Sequence, residues 1–132
     1  MTDKLKMTPA EWEIMEAVWQ LDAQVTVRDV LEHLFPSGEK AYTTVQTMMN
    51  ILERKKMLSR QKIGMVNFYR PIRTRDEISH RETSSLVSRV FGGSKPALAN
   101  SLLSMDDLSL GEVQQIKKLL AAKEKELKGR EK

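Results

Sequence analysis

The segment AYTTVQTMMNILERKKMLSRQKIGMVNFYRPI, residues 41 to 72, determines the fold of this chain. Its first half predicts a helix, because four apolar side chains fall on one side when each residue advances about 100°. They are Val45, Met48, Met49 and Leu52. Its second half predicts two short strands, 59–63 and 66–71, that form a hairpin around Gly64. We therefore expect a helix that packs by one side and leads directly into a hairpin.

The opposite side of this helix carries an unusual set of polar residues. Four of them recur at helical spacing, with Gln46 beside them: Thr43, Thr47, Asn50 and Arg54. Threonine is a mediocre helix former, and a helix face that only meets solvent normally carries Glu and Lys pairs. Short hydroxyl and amide groups can instead bond DNA base edges, and a threonine methyl can contact the thymine methyl group. The pattern favours a helix that contacts DNA.

Two further helices are predicted before this segment. In MTPAEWEIMEAVWQL, Thr8 is a candidate N-cap, Pro9 fits the first turn and Glu11 completes a capping box. Val25–Thr26 is predicted to be a short extended stretch. Thr26 then caps a second helix, VRDVLEHLF, which ends at PSGEK.

The chain beyond the hairpin is predicted to be helical. Thr74 and Glu77 form a capping box for a fourth helix that runs to about Phe91. The glycines of GGS, residues 92–94, predict a break, and a short helix is expected at 96–103.

The last predicted helix is capped by Ser109 and Glu112 and carries a partial heptad of apolar residues. Three of these residues are predicted to form a dimer interface: Val113, Ile116 and Leu120. Lys123 falls on the same seam, which argues against a long independent coiled coil. The charged end of the chain, KEKELKGREK, is expected to fray.

Length and composition limit the class of protein. The 132 residues have room for one domain with a modest core, or for a small domain plus an oligomerisation tail. The chain contains no cysteine, which excludes disulfides and thiolate metal sites. Its start has no apolar signal region, and no segment approaches the roughly 18 apolar residues of a membrane span. We expect a cytoplasmic protein without membrane insertion.

Basic residues are concentrated in one part of the chain. Residues 40–75 hold nine basic side chains and one acidic, a net charge of +8, whereas residues 1–39 carry a net charge of −5. A compact basic segment is typical of a surface that meets a polyanion such as DNA. For a charge imbalance taken alone, a solvated charged face is the alternative.

The sequence has no pattern typical of an enzyme. His33 and His80 are 47 residues apart and form no local metal motif. Asp106–Asp107 precedes a capped helix, where acidic residues stabilise the helix start. The chain has no Gly-rich phosphate loop, nucleophile elbow or HExxH motif. We expect no catalytic residues, no metal and no other cofactor.

The order of the predicted elements is that of a winged helix-turn-helix, which is three helices followed by a two-stranded hairpin. The predicted fold class is mainly α (α+β). We expect a winged-helix DNA-binding domain at 1–73 and a helical dimerisation region at 74–132. In this arrangement the helix at 42–56 lies in the major groove and the hairpin wing follows the DNA backbone.

Four stretches, MTPAEWEIMEAVW, VTVRDVLEHL, AYTTVQTMMNIL and RVFGGS, resemble the penicillinase-repressor family of the BlaI/MecI type. The resemblance implies a bacterial transcriptional repressor that binds, as a homodimer, a palindromic operator with TACA/TGTA-type half-sites. In the best-known members a membrane-bound β-lactam sensor triggers cleavage of the repressor. Such a sensor protease is a candidate partner for this chain.

The resemblance also implies which residues bind DNA. Four positions match the family's DNA-reading helix: Tyr42, Thr43, Thr44 and Thr47. Lys40, Arg54 and Lys55 match its basic contacts to the DNA backbone. Together with the polar helix face and the wing, the full predicted DNA-binding set is Lys40, Tyr42, Thr43, Thr44, Gln46, Thr47, Asn50, Arg54, Lys55, Arg60 and Lys62.

Three positions depart from the family pattern. Lys56 occupies the position after the DNA-reading helix where the family usually has a left-handed glycine. Met65 follows Gly64 at the wing tip, where a basic residue is common. The cleavable Asn–Phe bond of the family is not reproduced, and the nearest alignment, which is the candidate cleavage region, is Asn100, Ser101 and Leu102.

Two alternatives remain open. The winged helix could be a protein-interaction module whose basic segment meets an acidic partner, because a fold does not fix a function. The uncharged face of Thr, Asn and Gln argues against this, since protein hot spots more often expose Tyr, Trp or Arg. The second alternative is a repressor that senses a small molecule directly rather than through proteolysis.

Overall fold

The structure, a computed structural model, describes residues 7–131, which form six helices and one antiparallel two-stranded sheet. The elements are α1 (Pro9–Leu21), α2 (Val27–Leu34), α3 (Tyr42–Arg54), β1 (Leu58–Ile63), β2 (Val66–Pro71), α4 (Arg75–Phe91), α5 (Lys95–Leu103) and α6 (Leu110–Arg130). This order confirms the predicted fold class, a mainly helical winged helix-turn-helix with further helices behind it.

Local capping bonds explain where the helices begin. The hydroxyl oxygens of Thr8, Thr26 and Ser109 each accept the backbone N–H three residues on, and a carboxylate at that position bonds back. Thr74 and Glu77 exchange the same two bonds at the start of α4. Each pair satisfies two backbone groups that a helix start otherwise leaves open. The four predicted helix starts are confirmed.

One apolar core holds the first five elements and the start of α4 together. Its largest fully buried side chains are Tyr69, Ile14, Met15, Met49, Leu52, Met57, Leu58, Ile78, Val18, Val30 and Val45. The predicted inward side of α3 is confirmed, because Val45, Met49 and Leu52 are buried and Met48 packs against the core. Burial of these side chains fixes how α3 is rotated and therefore which of its sides faces outward.

The two strands of the hairpin pair without a bulge, and a third segment forms an isolated bridge to β2. Leu58 lies opposite Pro71 and Ile63 opposite Val66, and Gly64 takes a φ of +64° in the two-residue turn. Val25, in the predicted extended stretch, forms a bridge to Tyr69 through backbone bonds of 2.9 and 2.7 Å. The bridge joins the wing to the segment between α1 and α2.

The end of α3 differs from the prediction, since the helix stops at Arg54 instead of residue 56. Lys56 takes a φ of +66°, which ends the helix. The N–H of Met57 then bonds the carbonyl of Leu52 (2.9 Å), and the N–H of Lys56 bonds that of Glu53 (3.0 Å). These are the two bonds of a Schellman motif, which normally has glycine at the left-handed position.

The described chain divides into two compact units, and the division falls between Ser85 and Leu86, within α4. The boundary predicted from the sequence, 73/74, lies before this helix. The start of α4 belongs to the first unit for a physical reason. Ile78 is buried in the core, and the Glu82 carboxylate accepts bonds from the indole N–H of Trp12 (3.0 Å) and the backbone N–H of Met7 (3.1 Å).

The second unit contains the end of α4, α5 and α6. Gly92 and Gly93 take φ values of +58° and +86° at the predicted break, and Ser94 caps α5. α6 continues to Arg130, so the expectation that residues 123–130 fray was wrong. The ion pairs Lys123–Glu126, Lys128–Glu124 and Arg130–Glu126 lie at helical spacing and support this last stretch. Lys132 lies outside the described residues.

Candidate nucleic-acid interface

The outward side of α3 presents hydroxyl groups from its first half. Tyr42 is 39% exposed, and Thr43, Thr44 and Thr47 are also exposed. No acidic residue lies in the first turn of α3, and the N-cap residue Ala41 makes no side-chain hydrogen bond to the helix. The positive end of the helix dipole and the first backbone N–H groups therefore face outward beside these hydroxyls.

The second half of α3 is different, because its polar side chains have partners within the protein. Asn50 is only partly exposed, and its Oδ1 accepts a 2.9 Å hydrogen bond from the Tyr69 hydroxyl. Glu53 lies 3.7 Å from the Nε of Arg60 on the wing. Arg54 is exposed, and Gln46 is partly exposed. On the predicted outward face, Thr43, Thr47 and Arg54 are thus exposed, whereas the Asn50 side chain is hydrogen-bonded to Tyr69.

Lys55 is held in a partly buried ion pair. Its Nζ lies 2.7 Å from Glu11 Oε1, and the same oxygen accepts the backbone N–H of Thr8 at 3.0 Å. The Glu11 side chain is 7% exposed and the Lys55 side chain 25%. A lysine in this position joins the end of α3 to the start of α1. The Lys55 ammonium thus contacts Glu11 in this structure, and its contact with the DNA backbone stays a prediction.

The wing carries both basic and apolar side chains. Arg60 and Lys62 are exposed on β1, as expected for residues that approach a DNA backbone. At the tip, Met65 is 91% exposed and stands between the exposed side chains of Ile63 and Val66. The wing therefore presents its positive charge along the strand, behind an apolar tip.

The structure adds one basic residue that the sequence argument missed. Arg28 is exposed in the first turn of α2, and its guanidinium carbon lies 5.2 Å from the centre of the Tyr42 ring. Lys40 similarly lies 5.7 Å from the ring of Phe35. Arg28 was overlooked because it belongs to the acidic segment 1–39 by position in the chain. The available signal was its position two residues after Thr26, the predicted N-cap, which places Arg28 in the first turn of the second helix.

Burial affects the ionisation of one group near this surface. Burial raises the pKa of the Tyr69 hydroxyl above its ordinary value of 10.0, and the charge of the Arg60 guanidinium and a hydrogen bond from it oppose that rise. The hydroxyl is therefore protonated at neutral pH and can donate to Asn50.

The predicted residues of the second unit lie on α5 and α6. Leu120 is 62% exposed, Val113 is exposed and Ile116 is partly exposed, all on α6. Asn100, Ser101 and Leu102 of the candidate cleavage region are exposed and helical within α5. Among residues 7–131, no helix is long and apolar enough to cross a membrane, and no cluster of three potential metal ligands is found.

Comparison with known proteins settles the family. The family model described as "Penicillinase repressor" matches residues 7–122. The chain belongs to the penicillinase repressor family. The resemblance seen in the sequence is thereby confirmed, and with it the assignment to a family of DNA-binding winged-helix repressors.

Three relatives show how similar this penicillinase-repressor family member is to known proteins. The penicillinase repressor of Bacillus licheniformis is 25% identical over 115 residues, 87% of this chain and 89% of that protein. The methicillin resistance regulatory protein MecI of Staphylococcus aureus is 20% identical over 118 residues, 89% of this chain and 95% of that protein. An uncharacterized 16.5 kDa protein of Latilactobacillus sakei is 30% identical, covering 89% of this chain and 80% of that protein. The relatives named for an activity are regulators, which confirms that the chain is not an enzyme.

Two solved structures are also similar to this chain. The monomeric form of BlaI from Bacillus licheniformis, solved in complex with the blaP half-operator, has a TM-score of 0.46 and 26% identity, covering 55% of this chain and 87% of that chain. The adhesin competence repressor AdcR of Streptococcus pyogenes has a TM-score of 0.43 and 17% identity, covering 93% and 82%.

Proposed function

We propose that this member of the penicillinase repressor family represses transcription as a homodimer that inserts α3 into the major groove of a palindromic operator. The observation that carries the proposal is the exposed row of hydroxyls on α3, Thr43, Thr44 and Thr47, on a helix whose opposite side is fixed in the core. A recognition helix contacts base edges mainly with its N-terminal residues, which is where these threonines lie.

Charge supports the same surface. Lys40, Arg54 and Lys62 are exposed, and Arg28 stands beside Tyr42 at the start of α3. Basic side chains on either side of an uncharged polar row match the major groove of DNA. The phosphates line both sides of the groove and the base edges form its floor. A helix that bound an acidic protein would not need hydroxyls at its centre.

The dimer is proposed from the apolar side chains that the second unit leaves exposed. In residues 86–131 only Val87 is buried, whereas α5 and α6 expose leucine side chains at several positions, among them Leu102, Leu103 and Leu120. A second copy of the chain would cover such residues, and a two-fold dimer matches a palindrome with half-sites about one helical turn apart. A repressor of this kind works at the chromosome, which places it in the cytoplasm.

DNA binding can be tested by fluorescence anisotropy. We would compare a labelled duplex that contains TACA/TGTA half-sites with a scrambled duplex, each at two salt concentrations. The intact palindrome should bind more tightly, and the preference should persist at the higher salt because phosphate contacts alone carry no sequence information. Equal, steeply salt-dependent affinity for both duplexes would contradict the proposal.

Thr47→Ala is the variant that tests the threonine row. Loss of one hydroxyl contact should weaken operator binding about fivefold and leave binding to the scrambled duplex nearly unchanged. Thr83→Ala is the matched control, because Thr83 is exposed on α4 and its hydroxyl donates to the carbonyl of Ser79 within the same helix. Operator affinity that is the same in both variants would refute the assignment of the row.

Sedimentation tests the dimer. Leu120→Glu places a charge on the proposed seam of α6 and should produce a monomer. Lys118→Glu introduces the same charge on the opposite side of the helix, about 200° away, and should leave the dimer intact. A dimer that persists in Leu120→Glu would show that α6 does not form the interface.

Induction by a membrane-bound sensor protease is the finer part of the proposal. The candidate cleavage region, Asn100 to Leu102, is exposed but helical, so α5 has to open before an extended substrate can enter a protease. Mass spectrometry of the chain after co-expression with such a protease would test it. A cut at Ser101 supports the proposal, whereas an intact chain favours a repressor that senses a small molecule directly.

A further inference from the structure

Tyr69 and Asn50 connect the wing to the DNA-facing helix. Tyr69 lies on β2, is 1% exposed, and is fixed by both of its backbone bonds to Val25. Its hydroxyl lies 2.9 Å from Oδ1 of Asn50 on α3. Asn50 is the one residue of the predicted outward polar row that the core holds by its side chain, among the residues that the structure describes. Its amide cannot rotate without breaking this bond.

The direction of the bond follows from the atom of Asn50 that faces Tyr69. That atom is Oδ1, and an amide oxygen can only accept, so the buried Tyr69 hydroxyl donates its proton to it. Arg60 lies opposite Tyr69 on β1, and its positive charge lies near the hydroxyl oxygen. If Asn50 instead donated through its NH₂ group, the buried hydroxyl proton would have no acceptor, which is unfavourable. Asn50 therefore accepts with Oδ1.

We infer that Tyr69 is a positioning residue that fixes the Asn50 amide with its NH₂ group toward the DNA, so that Asn50 acts there as a hydrogen-bond donor. The inference rests on the proposed function, because it assumes that α3 lies in the major groove. Acceptors available there are guanine O6 and N7, thymine O4 and the phosphate oxygens. The paired contact of a free asparagine with adenine requires the amide to donate and accept together, whereas the bond to Tyr69 occupies one lone pair of Oδ1 and orients that oxygen toward β2.

Two variants of the whole chain test this inference. Tyr69→Phe removes only the hydroxyl and keeps the buried ring. Asn50→Asp keeps an oxygen for Tyr69 but replaces the donor with a second oxygen. Asn67→Asp is the control, because Asn67 is a partly exposed residue of β2 and the change adds the same charge to the wing. Circular dichroism first establishes that each variant is folded.

The measurement is anisotropy on the half-site duplex, on the scrambled duplex, and on half-site duplexes with single base-pair changes. Tyr69→Phe should weaken binding to the half-site duplex about fivefold, and Asn50→Asp should weaken it further. Asn67→Asp should change affinity for all duplexes by one common factor. If Asn50 donates to a base edge, the variants should bind as the unmodified protein does to the one duplex in which that base pair is changed. If Asn50 donates to a phosphate, the loss of affinity in the variants should be equal on all duplexes.

The outcomes separate this inference from the proposed function. If the unmodified protein shows no preference for the half-site duplex, the proposed function fails and the inference fails with it. If the protein has the preference but folded Tyr69→Phe binds every duplex as the unmodified protein does, only the inference is overturned. The NMR signal of the Asn50 side-chain amide adds a readout without DNA, since it should shift in Tyr69→Phe and a lack of any shift would contradict the bond.

Discussion

Replacement of Lys55 by methionine tests what holds the end of α3 against the start of α1. The Lys55 ammonium lies 2.7 Å from Glu11 Oε1, which also accepts the backbone N–H of Thr8 at 3.0 Å. Methionine keeps most of the length of the lysine stem, so the main loss in Lys55→Met is the charge. The Glu11 carboxylate then stays at 7% exposure without its cation.

The magnitude lies between two known limits. Exposed ion pairs contribute about 0.2–1 kcal/mol, whereas removing one partner of a fully buried pair costs about 3–5 kcal/mol. Glu11 is close to the buried limit, but Lys55 is 25% exposed and lets water reach the pair. We expect Lys55→Met to lower the free energy of unfolding by about 2 kcal/mol. In a unit of this size that corresponds to a fall of roughly 10 °C in Tm.

Urea unfolding followed by tryptophan fluorescence is a direct assay, because both tryptophans of the chain, Trp12 and Trp19, lie on α1. Arg54→Met is the matched control, since Arg54 is the exposed neighbour in sequence and should leave the urea midpoint unchanged. Combining Lys55→Met with Glu11→Gln should recover part of the loss, because the unpaired charge is removed. An unchanged midpoint in Lys55→Met would refute a stabilising role for the pair.

The same two variants separate structure from DNA binding. If Lys55 is committed to Glu11, folded Lys55→Met should keep the salt dependence of DNA binding of the unmodified protein. Arg54→Met should lower the slope of log K against log salt by about one unit, as expected for one lost phosphate contact. A lower slope in Lys55→Met as well would return Lys55 to the DNA interface.

Two further predictions concern stability. Lys56→Gly should raise the urea midpoint, because glycine adopts a φ of +66° without strain, with a gain of about 1 kcal/mol in the free energy of unfolding. Lys56→Ala keeps the Cβ and should not raise the midpoint. Equal midpoints in the two variants would show that the left-handed lysine is unstrained. For pH, hydrogen bonds from the backbone and side chain of Thr74 lower the pKa of Glu77 below its ordinary value of 4.5. This stabilisation is present above the unfolded pKa and is lost as pH falls through the folded pKa. Between pH 6 and pH 3, Glu77→Gln should therefore lose less stability than the unmodified protein, and identical losses would contradict the assignment.

Features that depend on neighbours in sequence could be predicted without a structure. The capping boxes at Thr8 and Ser109 need only two residues at a fixed spacing, and the inward side of α3 needs only helical periodicity. The Lys56 position was also identified, although the predicted helix was extended over it. For α6, the charged end was expected to fray, yet the pairs Lys128–Glu124 and Arg130–Glu126 lie at a spacing that was visible in the sequence.

Contacts between polar residues far apart in sequence could not be predicted in the same way. Periodicity shows which side of α3 a residue lies on, but it does not show that Asn50 meets Tyr69 or that Lys55 meets Glu11. The second of these pairs spans 44 positions and depends on how α1 and α3 cross in the folded core. A single sequence does not show which acidic and basic residues form ion pairs when they lie far apart in the chain. From the sequence, Lys55 therefore could not be distinguished from the other basic residues of the segment 40–75.

These contacts divide α3 into two halves with different tasks. In its first half, Thr43, Thr44 and Thr47 are exposed, whereas in its second half Asn50 and Glu53 are held by the wing. A recognition helix in the major groove contacts base edges mainly with its N-terminal residues. Polar side chains beyond those residues gain more from bonds to the protein than from solvent, and those bonds fix the angle at which the first half is presented. Substitution of Thr43, Thr44 or Thr47 should therefore change sequence preference without changing stability, whereas substitution of Asn50 should change both.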